Sequence, residues 1–407
     1  MSLNPGTRRW RRIVASLAFI VALAPVALSS PTAGAETGGA AAPSVGNTPF
    51  DRQGMWIWYV TRSEGGSVAA MVSRAKRYDI GTVYIKAGDG GDVWSQFSRS
   101  LIGALHAGGI DVCAWQFVYG DDPVGEARVG AAAVAKGADC LVIDAETDYE
   151  GKYASADRYI RSLRARIGAN FPLSLAAFPY VDYHPSFPYS VFLGPGGATY
   201  NQPQMYWKTI GTPVRSVFEH TYLYNRLWDH PIYPLGQTYE APGTTSLRLF
   251  RRFATSHGGL QPSWWDWQET AGSEWGALGA DSAARAIPGY SPSPEHPMLK
   301  RGSKGDMVVW AQARLLGAGQ LLPITGFFGK QTQAAVRAFQ GARGLPIDGR
   351  IETTTWEQLL TVTPFRMRWA GTAARNGAST SRALPPRRPL SASLPARGYE
   401  IGPDPRP

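Results

Sequence analysis

Two carboxylic acids stand two residues apart at the end of an apolar run. Residues 140–145 (CLVIDA) are apolar or β-branched up to Ile143, which is typical of a strand buried on both faces. Side chains alternate along a strand, so Asp144 and Glu146 point the same way, with Cα atoms about 6.5–7 Å apart. Buried carboxyl groups cost solvation energy unless they are paired or used. The spacing predicts acid–base chemistry; the alternative is a strand end at which the acids pair with Lys or Arg.

Eight strand-like segments recur between residues 54 and 270, several of them separated by amphipathic helical stretches. The predicted strands cover residues 55–60, 82–87, 111–118, 140–145, 173–178, 202–207, 232–238 and 262–267, and helical patterns cover 68–78, 124–136 and 155–167. This repetition predicts an α/β fold, a (β/α)8 TIM-like barrel. An open doubly wound sheet is the alternative, but no Gly-x-Gly-x-x-Gly turn follows the first strand.

Acids, amides and aromatic residues gather at the C-terminal ends of these predicted strands, where barrel enzymes hold their catalytic groups. The candidate catalytic residues are Glu146, Asp144 and, on the last strand, Asp266. The candidate substrate-binding residues are Trp58, Lys86, Asp89, Trp115, Gln204, Tyr206, Gln237, Tyr239 and Trp264. Aromatic faces beside carboxyl and amide groups suit sugar rings, which stack through C–H faces and bond through hydroxyls. The alternative is that part of these rings fills the barrel ends as core.

Three segments carry a resemblance to a known family. Residues 81–90 (GTVYIKAGDG), 109–117 (GIDVCAWQF) and 142–146 (VIDAE) are similar to the second, third and fourth strands of the family-25 glycoside hydrolases. Those enzymes are lysozyme-type muramidases that cut the glycan of peptidoglycan. The resemblance implies that Asp144 and Glu146 are the Asp-x-Glu pair of that family.

The same resemblance has a further match and a departure. Trp115 falls on the aromatic third-strand residue of the family, and Trp267-Gln268 resembles its last strand. The first strand of the family usually carries an Asp after its leading Gly, whereas residues 54–58 (GMWIW) contain none. Two hypotheses follow: a divergent hydrolase, or a descendant that binds glycan without cutting it.

The segment from 299 to 360 closely resembles the type-one peptidoglycan-binding domain, a three-helix module. The resemblance is carried by residues 301–305 (RGSKG), 334–340 (AAVRAFQ) and 344–349 (GLPIDG), in that family's order. A short internal repeat, 325–332 (TGFFGKQT) and 348–355 (DGRIETTT), precedes two amphipathic helices. The resemblance implies docking on wall peptide or glycan; a generic helical bundle is the alternative.

The two ends of the chain differ from its middle. Arg8, Arg9, Arg11 and Arg12 precede an apolar run and Ala33-Gly34-Ala35, which together are typical of an export signal. We therefore divide the chain into a signal peptide (1–35), a linker (36–49), the barrel (50–278), a second linker (279–297), the peptidoglycan-binding domain (298–361) and a basic, Pro-rich, disordered tail (362–407).

Charge and cysteine content bound the remaining functions. The net charge of +10 comes from the signal and the tail, which leaves the middle near neutrality and argues against nucleic-acid binding. Cys113 and Cys140 fall in neighbouring predicted strands, so a disulfide and two buried thiols both stay open. Six isolated histidines and no Cys/His cluster predict neither a metal site nor a cofactor.

Together these patterns predict an exported, wall-located, muramidase-like glycoside hydrolase. We expect a monomer without a membrane span in the mature protein, whose partner is peptidoglycan. In this hypothesis Glu146 is the general acid and Asp144 is ionised, orienting water or the acetamido group of the substrate. The alternative is a non-catalytic protein that binds cell-wall glycan.

Overall fold

The computed structural model of the protein describes residues 48–279 and 284–369. The predicted signal peptide, nearly all of the first linker and the tail from residue 370 onward lie outside the described residues. No helix in the two described ranges is long and apolar enough to cross a membrane.

Eight parallel strands form a barrel, and one short antiparallel strand lies at its edge. The strands are β1 (Gly54–Ile57), β2 (Thr82–Asp89), β3 (Asp92–Val93), β4 (Asp111–Val118), β5 (Cys140–Ala145), β6 (Leu173–Ala176), β7 (Tyr200–Asn201), β8 (Leu235–Gln237) and β9 (Ser263–Trp265). Their order is β7-β6-β5-β4-β2-β1-β9-β8, with β3 paired to β2. Parallel bridges from Asn201 to Ile232 and from Gln204 to Leu235 join β7 to β8 and close the barrel. The predicted α/β barrel is confirmed.

The predicted strands match the observed ones best in the middle of the sheet. β4 and β5 have the predicted bounds, whereas the sixth predicted strand, 202–207, is wrong in extent. The strand there is only Tyr200–Asn201, Gln204 forms an isolated bridge, and Trp207 begins a short helix. Pro203 lacks the N–H that a ladder needs, which explains why the strand stops before it.

Two apolar layers fill this domain, and β5 shows how the chain is divided between them. Leu141 and Ile143 point outward and pack in the layer between strands and helices. Val142 points inward, into the layer inside the barrel. Because side chains alternate, Asp144 follows Val142 to the inside.

The inner layer contains a disulfide. The register of β4 and β5 places Cys113 opposite Cys140, with Cα atoms 4.6 Å apart, and the two sulfurs are bonded. Trp56, Tyr84 and Phe50 fill the same layer, with Phe50 stacked on Tyr84. The disulfide, which the sequence left open, therefore crosslinks the two strands that precede the acids.

Helices surround the barrel. They are α1 (Val68–Arg77), α2 (Arg99–Ala107), α3 (Pro123–Ala135), α4 (Tyr153–Ile167), α5 (Tyr189–Phe192), α6 (Trp207–Ile210), α7 (Val214–Asn225), α8 (Thr244–Ser256) and α9 (Gly272–Leu278). The side chains of Ser67, Ser98 and Asp122 accept hydrogen bonds from the first turns of α1, α2 and α3. These caps satisfy N–H groups that a helix leaves unpaired at its start.

The C-terminal domain contains three helices, as predicted: α10 (Asp306–Gly317), α11 (Lys330–Ala342) and α12 (Thr353–Leu360). The internal repeat has a structural basis. Gln312 of α10 accepts hydrogen bonds from Thr325 N and Gly326 N and donates to Phe327 O. Gln340 of α11 accepts from Gly349 N and donates to Arg350 O. Each repeat loop is thus held by one buried glutamine.

The helical domain packs directly on the barrel. Asp306 at the start of α10 is buried, and its carboxylate accepts hydrogen bonds from Ser190 N at 2.7 Å and Ser190 Oγ at 2.6 Å. Trp310 Nε1 donates to Leu227 O at 2.6 Å, and its ring lies 5.4 Å from that of Trp228. The two domains therefore share one core.

The segments predicted as linker and tail are partly folded. In the second linker, Tyr290 packs on Phe253 of α8 with ring centroids 5.0 Å apart. Met367 and Trp369 are buried, and Trp369 packs on Tyr153 of α4. The prediction of disorder from residue 362 is wrong for 362–369, because these large apolar side chains return to the barrel surface.

Candidate active site

Asp144 and Glu146 meet at one amide group at the C-terminal end of the barrel. Gln204 Nε2 donates a hydrogen bond of 3.0 Å to Asp144 Oδ1 and another of 3.0 Å to Glu146 Oε1. The two oxygens are therefore at most about 6 Å apart, and both acids face the same side, as strand alternation predicts. Asp144 is 6% exposed, whereas Glu146 is half-buried and more accessible.

The surroundings of this pair favour protonation. Burial raises the pKa of Asp144 well above its usual range, and the neighbouring charge of Glu146 raises it further. Burial also raises the pKa of Glu146. The amide of Gln204 opposes both shifts, because a donor stabilises the ionised form. The pair therefore retains a proton at a higher pH than two isolated carboxyl groups would.

A buried lysine lies within reach of the pair. Lys86 is 2% exposed, and its Nζ is 2.9 Å from Asp89 Oδ2. The same Nζ lies 4.6–4.9 Å from the ring centroids of three indoles, those of Trp58, Trp94 and Trp115. Its positive charge lowers the pKa of the Asp144 carboxyl. Lys86 is thus a fixed countercharge held by aromatic faces and an ion pair.

Asp266 lies at the same end of the barrel but is engaged by its own segment. It is 2% exposed, its Oδ2 accepts a 2.5 Å hydrogen bond from Gln268 Nε2, and its Oδ1 accepts from Glu269 N. Burial, with the charge of Glu269, raises its pKa to about 7. Burial raises the pKa of the Tyr206 hydroxyl, and the charges of Asp144, Glu146 and Asp266 raise it further, so all three acids lie within electrostatic range of this residue.

Aromatic rings surround the acids. The half-buried rings at this end are Trp58, Trp94, Phe117, Tyr119, Tyr206 and Trp265. Tyr119 donates its hydroxyl hydrogen to Asp89 Oδ1 at 2.7 Å. Tyr239 is buried edge-on against Tyr206, with centroids 5.5 Å apart. Trp115 lies deeper, with its Nε1 bonded to Ile57 O. The arrangement offers stacking faces above a carboxyl pair.

Two predicted substrate-binding residues are fully buried and engaged by other parts of the protein. Trp264 is fully buried, packs on Phe250 of α8 and donates from Nε1 to Gln53. It points outward, into the layer between strands and helices. Gln237 is also fully buried, and its Oε1 accepts hydrogen bonds from Lys208 N and Thr209 N. The side-chain carbonyl of Gln237 is therefore occupied by the first turn of α6.

The structure also brings in residues that were not among the predicted catalytic or substrate-binding residues. Trp265 points inward, with its ring centroid 5.3 Å from that of Trp115. Gln268 accepts a hydrogen bond from Trp58 N while it donates to Asp266. Gln96 donates to the carbonyls of Trp58 and Lys86. Alternation along β9 was a signal for Trp265, and the family-25 resemblance of Trp267-Gln268 was a signal for Gln268, whereas nothing local marked Gln96.

The described parts of the chain contain no group of three or more His, Cys, Asp or Glu residues that could hold a metal ion.

Comparison with known proteins shows which family model the C-terminal domain matches. Residues 304–359 match the family model PG_binding_1, described as "Putative peptidoglycan binding domain". An uncharacterized protein in the bpoA1 3′ region of Kitasatospora aureofaciens is 38% identical over 92 residues, which are 22% of this chain and 74% of that protein. The helical domain is thus of the peptidoglycan-binding type that its motifs predict.

Solved structures similar to this chain include glycan-cutting enzymes. A family 39 glycoside hydrolase from Bacteroides cellulosilyticus WH2 has a TM-score of 0.44 and 11% identity, covering 63% of this chain and 68% of that one. The spore cortex-lytic enzyme SleL of Bacillus cereus has a TM-score of 0.41 and 10% identity, covering 58% and 76%. Identities this low transfer no activity.

Proposed function

We propose that this chain, which belongs to the same family as the Kitasatospora aureofaciens protein, is a muramidase-like glycoside hydrolase that acts on peptidoglycan. The observation that carries the proposal is the carboxyl pair Asp144 and Glu146, bridged by Gln204 Nε2 at the aromatic-lined end of the barrel. The peptidoglycan-binding domain of the same chain supports the choice of substrate.

In the proposed mechanism Glu146 is the general acid. It is the more accessible member of the pair, and its raised pKa keeps a proton available for the leaving oxygen. Asp144 is assigned the ionised role in this proposal. Burial and the charge of Glu146 raise its pKa, whereas the Lys86 charge and the Gln204 amide oppose that shift, and the ionised carboxylate then orients the acetamido group of the substrate. Inverting glycosidases separate their two carboxyls by about 6.5–9.5 Å to admit a water. Asp144 Oδ1 and Glu146 Oε1 are at most about 6 Å apart, because both bind Gln204 Nε2, and this shorter separation favours a substrate-assisted or retaining route.

Other residues at this end of the barrel take supporting roles in this proposal. Trp58, Tyr206 and Trp265 offer half-buried faces on which sugar rings stack. Asp266, bound to Gln268 and near Tyr206, helps to hold that side of the site. Lys86 and Asp89 act indirectly, through their effect on the carboxyl pair, because the ammonium group of Lys86 is nearly inaccessible to substrate.

The whole protein is proposed to work at the cell wall as an exported monomer. The N-terminal signal would direct export, and the helical domain would raise the substrate concentration around the barrel by holding it on the polymer. The catalytic step requires neither a metal nor a cofactor in this scheme.

Release of reducing sugar from purified peptidoglycan tests the proposal with Glu146→Gln. Loss of the acid should reduce the rate at least about 100-fold while the protein still binds the polymer. Asp92→Asn, which changes an exposed acid on β3, is the matched control and should retain activity. Equal rates for wild type and Glu146→Gln would refute the assignment.

A second candidate function is glycan binding without cleavage. The observation that favours it is Trp58, an aromatic residue with no carboxyl group just beyond β1, where the family-25 resemblance leads us to expect an acid. If wild type and Glu146→Gln both bind peptidoglycan and neither releases sugar, this function replaces the first.

A further inference from the structure

Exposed aromatic and basic side chains lie on both sides of the joint between the barrel and the helical domain. We call the surface formed by Tyr183, Lys304 and Phe327 the seam surface. Tyr183 is 63% exposed and Phe327 46% exposed, although large apolar side chains are usually covered. Lys304 is exposed as well. No part of the catalytic proposal uses these three residues.

The barrel side of the seam surface is connected to the carboxyl pair. Tyr183 lies in the loop after β6, and Tyr180 and His220 meet its ring at close to right angles, 5.4 and 5.5 Å away. The next residue, His184, is 2.8 Å from Glu150 Oε1. Glu150 lies only four residues after Glu146, so this loop borders the same end of the barrel.

The helical side meets this loop through the backbone. Asp306 N donates a 2.7 Å hydrogen bond to Pro185 O, two residues after Tyr183. A Cβ on Gly305 would lie 2.6 Å from the same oxygen, so the two backbone segments are in contact. Lys304 forms an antiparallel bridge with Phe327, and its Nζ is 5.8 Å from the Phe327 ring centroid. The backbone segments that carry Tyr183 and Lys304 therefore meet at one close contact.

The joint under the seam surface is a packed core. Ser190 satisfies the Asp306 carboxylate, and Trp310 is anchored to Leu227 O. A buried, hydrogen-bonded joint holds one geometry, since opening it would expose unpaired polar groups. The two domains consequently present their exposed rings at a constant spacing.

We propose that the seam surface binds the same peptidoglycan strand whose glycan enters the barrel, so that both domains hold one continuous ligand. Tyr183 and Phe327 provide faces for sugar rings, and Lys304 provides a cation for the carboxylates of the peptide stems. Lys304 and Phe327 fall inside the segment that matches the peptidoglycan-binding family, which argues for this ligand. The inference rests on the proposed function, since it shares its substrate.

Retention on insoluble peptidoglycan tests the proposal, in the full chain carrying Glu146→Gln so that bound polymer stays intact. Adding Tyr183→Ala should weaken binding about five- to tenfold, as should adding Phe327→Ala. Tyr183→Phe, which keeps the ring, should bind like its parent. Leu321→Ala is the matched control, because Leu321 is 97% exposed in the helical domain beyond the far end of α10.

The Tyr183 result is decisive, since this residue belongs to the barrel and not to the family-matched domain. Unchanged affinity of Tyr183→Ala, with unchanged thermal unfolding, would overturn the proposal. An equal loss on Leu321→Ala would also overturn it, as a nonspecific effect of apolar area. Failure of the catalytic proposal is read separately, from sugar release by the wild type, and does not alter the retention result.

Discussion

At the scale of single residues, one amide group organises the candidate active site. Gln204 donates to both Asp144 and Glu146, so it fixes their separation and stabilises their ionised forms together. Burial acts in the opposite direction and raises the pKa of each acid. The protonation state of the pair is therefore a balance between one donor, one lysine and the surrounding apolar groups.

Replacing Gln204 by Leu should shift the pH dependence of cleavage. Without the amide donor the pKa values of Asp144 and Glu146 rise further, so the acidic limb of the pH–rate profile should move upward by about half to one pH unit. The profile of kcat/KM against pH measures this shift. Gln261→Leu, on an exposed loop before β9, should leave the profile unchanged. A shift toward lower pH would contradict the assigned role of the amide.

At the scale of elements, the parity of a strand decides which aromatic residues can meet substrate. Trp264 and Trp265 are adjacent on β9 and chemically identical, yet one packs on α8 and the other lies beside Trp115. The sequence located the strand correctly but did not show which of its tryptophans faces inward, since the neighbours of Trp265 are Trp264 and Asp266. Only the register of β9 with β1 and β8 settles the choice.

The two tryptophans should therefore respond differently to truncation. Trp264→Ala should lower the free energy of unfolding by about 3–5 kcal/mol, because it leaves a cavity between sheet and helix. Trp265→Ala should cost less stability and instead raise KM for glycan. Denaturant titration and steady-state kinetics on both variants separate the effects. A selective rise in KM for Trp264→Ala would show that the facing is misassigned.

At the scale of the whole molecule, the two domains are one body. Buried apolar residues form a continuous cluster that includes Trp228 of the barrel and Trp310 of α10. Asp306 is buried where the domains meet, and burial raises its pKa to about 7. The fold thus places an acid that prefers its protonated form in the joint, although Ser190 donates two hydrogen bonds to it.

This acid should make stability depend on pH. The unfolded chain releases the Asp306 proton near pH 4, whereas the folded protein retains it up to about pH 7. Stability contributed by Asp306 is therefore complete below pH 4 and lost as the pH rises to 7. Asp306→Asn should reduce the loss of unfolding free energy between pH 5 and 8 by about 2–3 kcal/mol. Denaturant titrations at both pH values measure it.

The control for this prediction is Asp92→Asn, which changes an exposed acid on β3. It should leave the difference between pH 5 and pH 8 as it is in the wild type. An Asp306→Asn protein with the same pH dependence as the wild type would mean that the joint does not titrate through Asp306.

The sequence by itself determined the parts of this protein that depend on local pattern. The eight-unit rhythm predicts the barrel, the alternation around Val142 predicts that Asp144 and Glu146 share a face, and the motifs of the C-terminal segment predict its family. These features succeed because periodicity and turn chemistry act over a few neighbouring residues.

Tertiary structure alone decided what joins distant parts of the chain. Gln204 reaches acids about sixty positions earlier, Cys113 meets Cys140 across a strand pair, and Asp306 is buried on Ser190. Such contacts depend on register and on docking, to which every packed layer contributes, so no local pattern specifies them. The sequence therefore identified the two acids, whereas the packing of the whole chain determined which groups surround them and shift their pKa values.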